Sequence, residues 1–577
     1  MERFVTPIVL LVALLPGTSV FPAEAAPAPL NLQWEVTPTS LVTRAEPARQ
    51  RVEFAVQASR DSGPVYLEVY DGRQQIGKGE LGSLQEGDNR PAVLLPVPPD
   101  QRDVRWMLKD GKGNLLAEKT ATWTRPRHWT IYVVSSTHTD IGLHNSQYIQ
   151  RWMNVNYLDQ AKKLVDQCAD WPDASRYRYV VEGTWVWGNY GPDRGEPAAR
   201  ELADKYIREK KIAVGCCCAG NHTQAFGFEE LCRSAYYKRD LKDRWGIDSD
   251  TMVFSDINGI TWPLVGPYAE AGIRNILFSP NQWNPLDSTI WPMDKTKPGS
   301  RWNPDAGGGG SRIDVRWDSP LPMVFYWQGA DDASKILVWA SAQYGHGGTA
   351  FGWRADVETM PPLLSKQLCK MEARYPFDVW LFCQYNDDEA PNLNNAEKAK
   401  AWNAKWQSPE FRTVGDLSEP FDRLREKFDD QIPVLRGDMT CSWAQHTICA
   451  PELLAQKRVA DAALPTAEKI AALARLYNPG YIYPATAFRH AWDGLICNDE
   501  HSYGTSGYQG RRVYETWLQH RDWIDKAEAT AKTETARALD ALAEKITVQE
   551  KSLVVFNPTL IPRTETLTVS LEDGSQT

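Results

Sequence analysis

The stretch HWTIYVVSSTHTD, residues 128–140, begins a part of the chain in which apolar runs alternate with amphipathic segments of helical length. Its central run of apolar and β-branched residues is typical of a strand buried on both faces of a parallel sheet. Helical periodicity follows at 146–167 and 196–211. This alternation predicts a parallel α/β fold that extends to about residue 415. The stretch ends in His138 and Asp140, which lie two apart and so point to one side of an extended chain.

The rest of the chain has a different pattern of apolar and polar residues. Before it, short runs of period-two alternation recur about every dozen residues, which predicts a small β-sandwich. After it come long Ala-, Glu- and Lys-rich helical segments and then two short strand-like runs. We therefore predict a multidomain α/β protein with a signal peptide at 1–26, an immunoglobulin-like β-sandwich at 27–126, a (β/α) barrel-like domain with parallel strands at 127–415, a helical bundle at 416–546 and the start of a truncated β-rich domain at 547–577.

The amino terminus has the organisation of a secretory signal. Arg3 precedes an apolar stretch at 5–15, and a small-x-small cleavage pattern follows at 23–25. The apolar stretch is short for a membrane span. We expect a periplasmic or secreted protein with no stable membrane insertion after cleavage. The sequence leaves the oligomeric state and the pairing of the cysteines open.

Composition narrows the class of ligand. The 577 residues include 64 basic and 74 acidic side chains, for a net charge of −10. Without a basic run to neutralise phosphates, we expect no nucleic-acid partner. The 24 tryptophans are unusual, and two readings stay open for them: a Trp-rich core, or flat apolar faces for binding sugars.

Acids or histidines follow each of four apolar runs that we interpret as strands, the last of them at 495–497. The first run leads to His138 and Asp140, and the others lead to Asp256, to the segment 386–389 and to the segment 499–501. In parallel α/β folds, ligands bind outside the carboxyl ends of the strands, so these groups are expected in one cleft. A set of two imidazoles and two or more carboxylates suits zinc. His222 and His446 are the other histidines to consider, with His446 a competing ligand.

In their order and spacing, these motifs resemble the family 38 glycoside hydrolases, the zinc-dependent retaining α-mannosidases. The resemblance covers roughly residues 129–556. The segments that carry it are HTDIG at 138–142, FSDING at 254–259, NDD at 386–388, DEHSYG at 499–504 and VVFNP at 554–558.

The resemblance implies zinc as the cofactor and a carbohydrate as the substrate. The implied ligands are His138, Asp140, Asp256 and His501, the last contributed by the helical bundle. Asp256 would double as the nucleophile, and Asp388 or its neighbour Asp387 would be the general acid/base. A retaining glycosidase needs two such carboxyls about 5 Å apart.

The sequence departs from the family pattern beside these motifs. Leu143 stands where many members have a sugar-stacking aromatic residue, and the segment 257–262 differs from the usual one. Trp185 and Trp187, read as neighbours on one strand face, and Trp262 are candidate replacements for substrate binding.

Two other functions fit the same residues. A metal-dependent carbohydrate esterase or deacetylase would use the metal to activate water and would need no nucleophilic carboxylate. A non-catalytic carbohydrate-binding protein would rely on the β-sandwich.

Overall fold

A computed structural model describes residues 30–257, 259–280, 323–341, 344–345, 348, 351–373, 375–439, 450–502, 511–548, 552–566 and 568. The chain divides into two compact units, one comprising Met1–Pro38 and Arg51–Thr124 and the other Thr39–Gln50 and Arg125–Thr577. It is a multidomain α/β protein, as predicted. Among the described residues, no helix is both long and apolar enough to cross a membrane.

The first unit is built from antiparallel strands. In chain order they are β1 (Leu32–Thr43), β2 (Arg49–Ala58), β3 (Pro64–Asp71), β4 (Gln74–Ser83), β5 (Gly87–Asn89), β6 (Ala92–Pro96), β7 (Arg102–Asp110) and β8 (Leu115–Trp123), of which β1 and β2 extend into the second unit. One sheet has the order β4-β3-β7-β8, and β2 pairs with both β5 and β6. Alternate side chains such as Phe54, Val69 and Trp106 form the core of this unit.

The second unit contains parallel strands followed by helices. Its strands are β9 (Thr130–Val134), β10 (Tyr179–Val181), β11 (Ile212–Val214), β12 (Thr251–Asp256), β13 (Asn275–Pro280), β14 (Val324–Gln328), β15 (Lys335–Ala340), β16 (Val379–Cys383), β17 (Trp406–Ser408), β18 (Glu410–Thr413) and β19 (Val434–Arg436). Its first helices are α1 (Gln147–Gln167), α2 (Thr184–Arg194), α3 (Glu196–Leu202), α4 (Phe228–Ser234), α5 (Tyr236–Trp245), α6 (Val265–Glu270), α7 (Met360–Glu372), α8 (Asn394–Lys405) and α9 (Glu419–Phe428).

The parallel strands bring their carboxyl ends together. β9 lies between β16 and β18, β10 pairs with β11, and β12 pairs with β13, all in parallel register. Backbone hydrogen bonds from Val180 N to Ser135 O (2.9 Å) and from Cys216 N to Thr251 O (3.0 Å) join these groups in the order β9, β10, β11, β12. The residues that follow β9, β10, β12 and β16 therefore lie at one edge.

The continuous apolar runs are explained by burial on both strand faces. In β12, Phe254 packs into one hydrophobic core while its neighbour Val253 packs into another. In β13, Phe278 and Leu277 divide in the same way. A strand between two cores cannot carry a polar face, so polar residues collect at its ends.

A helical group follows the α/β region. It consists of α10 (Pro451–Tyr477), α11 (Ala485–Asn498) and α12 (Arg511–Ala543), whose shared core includes Leu464, Trp492 and Ile524.

Three sequence expectations about local structure differ from the structure. Residues 495–497 form the last turn of α11, where Leu495 packs in the helical core and Ile496 and Cys497 pack in the core of the α/β region. Trp185 and Trp187 lie on α2, because β10 ends at Val181 and a helix starts at Thr184. The described part of 552–568, where strands were expected, has no assigned strand.

Candidate metal centre and active site

Four side chains named from the sequence converge at the carboxyl ends of the strands. His138, Asp140, Asp256 and His501 each place one potential ligand atom within 4.8 Å of the others, and all four are buried. His501 Nε2 lies 3.1 Å from Asp140 Oδ1 and 3.2 Å from Asp256 Oδ2. His138 Nε2 lies 3.0 Å from His501 Nε2. Two imidazole nitrogens and two carboxylate oxygens thus face a common point.

Local backbone structure positions these groups. His138 and Asp140 follow β9, and His138 forms an isolated parallel bridge with Asp387, which follows β16. Asp256 ends β12 in a left-handed conformation with φ +67°. A non-glycine residue pays a conformational cost there, and such outliers cluster at functional sites. His501 arrives from the loop after α11, and its backbone N–H donates to Gly220 O at 2.9 Å.

The residues fit a zinc-type cation. Asp140 Oδ1 is buried and has no well-aligned hydrogen-bond donor among the described residues. Burial would lower the pKa of His138, but the Glu182 and Asp140 carboxylates raise it well above its ordinary value. Burial would raise the pKa of Asp140, yet the adjacent imidazoles hold it well below its usual range. The cluster therefore favours positive charge at its centre, and its mixed N/O donors are those that zinc accepts.

Acceptors behind both imidazoles determine which nitrogen faces the cluster. His138 Nδ1 lies 3.1 Å from Glu182 Oε2. His501 Nδ1 lies 3.1 Å from Gly220 O and in close contact with Glu500 Oε1. Since carboxylates and carbonyls only accept, both Nδ1 atoms carry hydrogen, and a bound metal would take the place of the proton on each Nε2.

Tyr344 connects two of the candidate catalytic carboxylates. Its hydroxyl lies 2.5 Å from Asp387 Oδ1 and 3.4 Å from Asp256 Oδ1. Because both oxygens approach the same hydroxyl oxygen, Asp256 Oδ1 and Asp387 Oδ1 are at most about 6 Å apart. Burial raises the pKa of Asp387, against the lowering effect of His138 and Tyr344.

Asp388 has a different environment from its neighbour. Gln150 Nε2 donates to its Oδ1 at 2.7 Å, and His144 Nδ1 lies 3.3 Å from its Oδ2. The Tyr157 hydroxyl donates to its backbone carbonyl at 2.8 Å, and its φ is +51°. His144 Nδ1 also lies 2.9 Å from Asp140 Oδ2, and these two carboxylates together raise the pKa of His144 to about 10.

Sequence reasoning assigned no role to Glu182, Glu500, Tyr344, His144 or Gln150. Glu182 directly follows an apolar strand, so the rule that selected Asp256 could have found it. Glu500 stood inside the quoted DEHSYG motif. The other three had no sequence signal, because loop and helix geometry alone bring them to the site.

The predicted tryptophans lie elsewhere in the fold. Trp187 packs edge-on against Trp245, with ring centroids 5.3 Å apart, and lines with Trp185 a cavity of about 620 Å³ between α2, α5 and α11. Trp262 begins a short 3₁₀ turn, and its indole N–H donates to Gln328 O at 2.7 Å. His222 is outside the four-residue cluster, with its ring centroid 6.5 Å from that of His501. His446 falls outside the described residues.

The fold and the site together define an α/β protein with a buried, metal-type His/Asp cluster at its strand ends. No protein-family model and no curated protein matches the chain. Among solved structures, it is similar to an α-mannosidase from Enterococcus faecalis V583, with 15% identity, a TM-score of 0.54, and 72% of this chain and 43% of that chain covered. A glycosyl hydrolase family 38 protein from Enterococcus faecalis matches with 14% identity, a TM-score of 0.47, and coverages of 72% and 40%. The chain thus shares its fold with the first of these structures, and it spans less than half the length of either protein.

Proposed function

We propose that this chain is an exported, zinc-dependent retaining glycoside hydrolase acting on α-mannosides or related α-linked glycans. The observation that carries the proposal is the position of Asp256. Its Oδ2 faces the metal-type cluster at His501, while its Oδ1 faces Tyr344 and, through it, Asp387. A single carboxylate can therefore serve as a ligand and as a nucleophile opposite an acid/base.

His138, Asp140, Asp256 and His501 would hold the zinc. Bound there, zinc would engage vicinal sugar hydroxyls and assist distortion of the ring toward an oxocarbenium-like state. The fold likeness to an α-mannosidase supports the choice of sugar, and the chain's −10 net charge is compatible with a neutral glycan.

Asp387 is the better acid/base of the two adjacent candidates. An acid must hold a proton at working pH, and burial raises the pKa of Asp387. Asp388 instead accepts a hydrogen bond from Gln150 and lies beside His144. We assign Asp388 to orienting this loop.

The reaction follows from these positions. The Asp256 carboxylate attacks the anomeric carbon while Asp387 donates its proton to the departing glycosidic oxygen, leaving a glycosyl ester on Asp256. Asp387, now ionised, takes a proton from water as that water attacks the anomeric carbon. The ester bond breaks, and both carboxyl groups return to their starting states.

The direct test is hydrolysis of nitrophenyl α-mannoside by the purified mature protein, before chelation, after chelation and after zinc is restored. We expect zinc-reversible hydrolysis that Asp256→Asn abolishes. The matched control is Glu372→Gln, a partly buried carboxylate that accepts from Trp129 Nε1 at 2.7 Å away from the site. If Asp256→Asn instead kept its activity on acylated sugars, that result would favour a metal-dependent esterase. Absence of hydrolysis by a zinc-loaded protein would contradict α-mannosidase activity.

Export is part of the same proposal. The apolar segment and cleavage pattern within residues 1–26 support it. Expression of the full chain in a bacterial host, followed by fractionation and amino-terminal sequencing, would test it. We expect a periplasmic product that begins after Ala25 or Ala26. A cytoplasmic product with an intact amino terminus would contradict it.

A further inference from the structure

Glu182 is a buried side chain that contacts the metal-type cluster but is not one of its four members. Its side chain is 9% exposed and lies just beyond β10. Its Oε2 accepts the backbone N–H of Thr139 at 3.1 Å and faces His138 Nδ1 at the same distance. One carboxylate thus touches both the ring of His138 and the peptide that leads to Asp140.

From this geometry we propose that Glu182 is a positioning residue that sets the metal affinity of the site by fixing the tautomer and ring orientation of His138. This inference rests on the proposed function, in that it requires a metal to bind the cluster. A neutral imidazole has two tautomers, and only the one with hydrogen on Nδ1 leaves Nε2 able to donate a lone pair. The Glu182 carboxylate accepts from Nδ1 and so favours that tautomer.

The backbone holds Glu182 in place from both sides. A Cβ added at Gly183 would lie 2.3 Å from Cys218 O, and one added at Gly215 would lie 2.2 Å from Glu182 O. The two segments therefore approach more closely than any side chain would permit. Hydrogen bonds from Gly215 N to Val181 O and from Thr184 N to Cys217 O, both 2.8 Å, close this contact. Glu182 consequently has little freedom to follow His138 if the ring turns.

The two histidines depend on different kinds of acceptor. His501 Nδ1 has the backbone carbonyl of Gly220 within 3.1 Å in addition to Glu500. The described acceptor for His138 Nδ1 is the Glu182 side chain, whose other oxygen lies 3.4 Å away. Replacing that side chain should therefore affect His138 more than any single side-chain change affects His501.

The test compares metal binding by the full mature chain and its variants after metal removal. In Glu182→Gln, the new amide can donate to Nδ1 and favour the wrong tautomer. We expect its zinc affinity, measured by competition with a chromophoric chelator, to fall about 10- to 100-fold. The cobalt(II) absorption bands, which report ligand geometry, should change as well. Glu372→Gln is the matched control and should leave both unchanged.

The outcomes separate this inference from the proposed function. Unchanged zinc affinity and cobalt bands in Glu182→Gln, with normal binding by the wild type, would overturn the inference alone. Failure of the wild type to bind zinc would overturn the proposed function and the inference with it. Unfolding curves of the metal-free proteins check folding. If Glu182→Gln does not fold, Glu182→Asp is the second variant. It keeps the negative charge but has a shorter side chain, so its carboxylate lies farther from His138 Nδ1, and we expect the same loss of zinc affinity. Wild-type affinity in Glu182→Asp would contradict the proposal.

Discussion

The Nε2 atoms of His138 and His501 lie 3.0 Å apart, although 363 residues separate them in the chain. One follows a β-strand and the other follows a helix of the group α10–α12. A ligand that bridges them ties these two parts of the second unit together. Metal binding and stability should therefore be linked.

Zinc should stabilise the folded protein. A ligand that binds only the native state adds about 2.7 kcal/mol at a free concentration 100 times its Kd. Differential scanning fluorimetry of the chelated protein with increasing zinc should show a rising midpoint. Asp140→Ala should not show this rise, because it removes a ligand. A zinc-dependent rise of equal size in that variant would contradict the assigned site.

Replacing Asp387 should slow hydrolysis according to the leaving group. General acid catalysis contributes about 10²- to 10⁴-fold, and a good leaving group needs little of it. For Asp387→Asn, we expect a large loss of kcat/KM on methyl α-mannoside and a much smaller one on dinitrophenyl α-mannoside. Asp388→Asn should affect the two substrates alike. The reverse pattern would make Asp388 the acid.

Tyr344→Phe should shift the pH dependence of activity upward. The Tyr344 hydrogen bond lowers the pKa of Asp387, so its loss raises that pKa. Because Asp387 must be protonated to act, a higher pKa extends activity to higher pH. The basic limb of kcat/KM against pH should therefore move up. Tyr157→Phe, which loses a hydrogen bond to the backbone carbonyl of Asp388, is the control and should leave the limb in place. A downward shift in Tyr344→Phe would contradict the assignment.

Lys457 should be essential for stability. It is fully buried, contacts Glu230, and donates to Asp499 Oδ2 at 2.8 Å and to Ala225 O at 3.1 Å. Lys457→Met would leave the buried Asp499 carboxylate without its cation, which costs about 3–5 kcal/mol. The exposed Lys526→Met should cost less than about 0.5 kcal/mol. Urea unfolding of the metal-free proteins measures both, and similar values would contradict this account.

Glu230 should make stability depend on pH. Burial and the nearby negative charges of Asp499 and Asp461 raise the pKa of Glu230 to about 8, although the positive charge of Lys457 acts in the opposite direction. The folded protein thus keeps a proton that the unfolded chain loses above the ordinary pKa of 4.5. Stability from this group is present below that value and is lost as pH rises toward 8. Glu230→Gln should remove this loss, so its unfolding free energy relative to wild type should increase between pH 5 and pH 8. A constant difference would contradict the prediction.

Sequence pattern was informative where chemistry follows strand ends. A strand buried on both faces must be apolar throughout, so the first polar residues after it are conspicuous: Asp256 after β12 and His138 after β9. The pattern was misleading at 185–187 and 495–497. There, apolar residues of a helix that packs on the α/β core resemble a short buried strand, and periodicity over three residues cannot separate the two.

The sequence pattern placed His138, Asp140 and Asp256 after apolar strands, and it predicted that they meet because parallel strands end at a common edge. His501 follows a helix, so its choice rested on the resemblance of the DEHSYG motif to the family 38 signature. The sequence could not choose between Asp387 and Asp388, which are chemically identical neighbours. Only the tertiary structure distinguishes their surroundings, since Asp387 lies beside Tyr344 while Asp388 contacts Gln150 and His144. The same holds for Glu182, whose role depends on a distance to a ring 44 residues away.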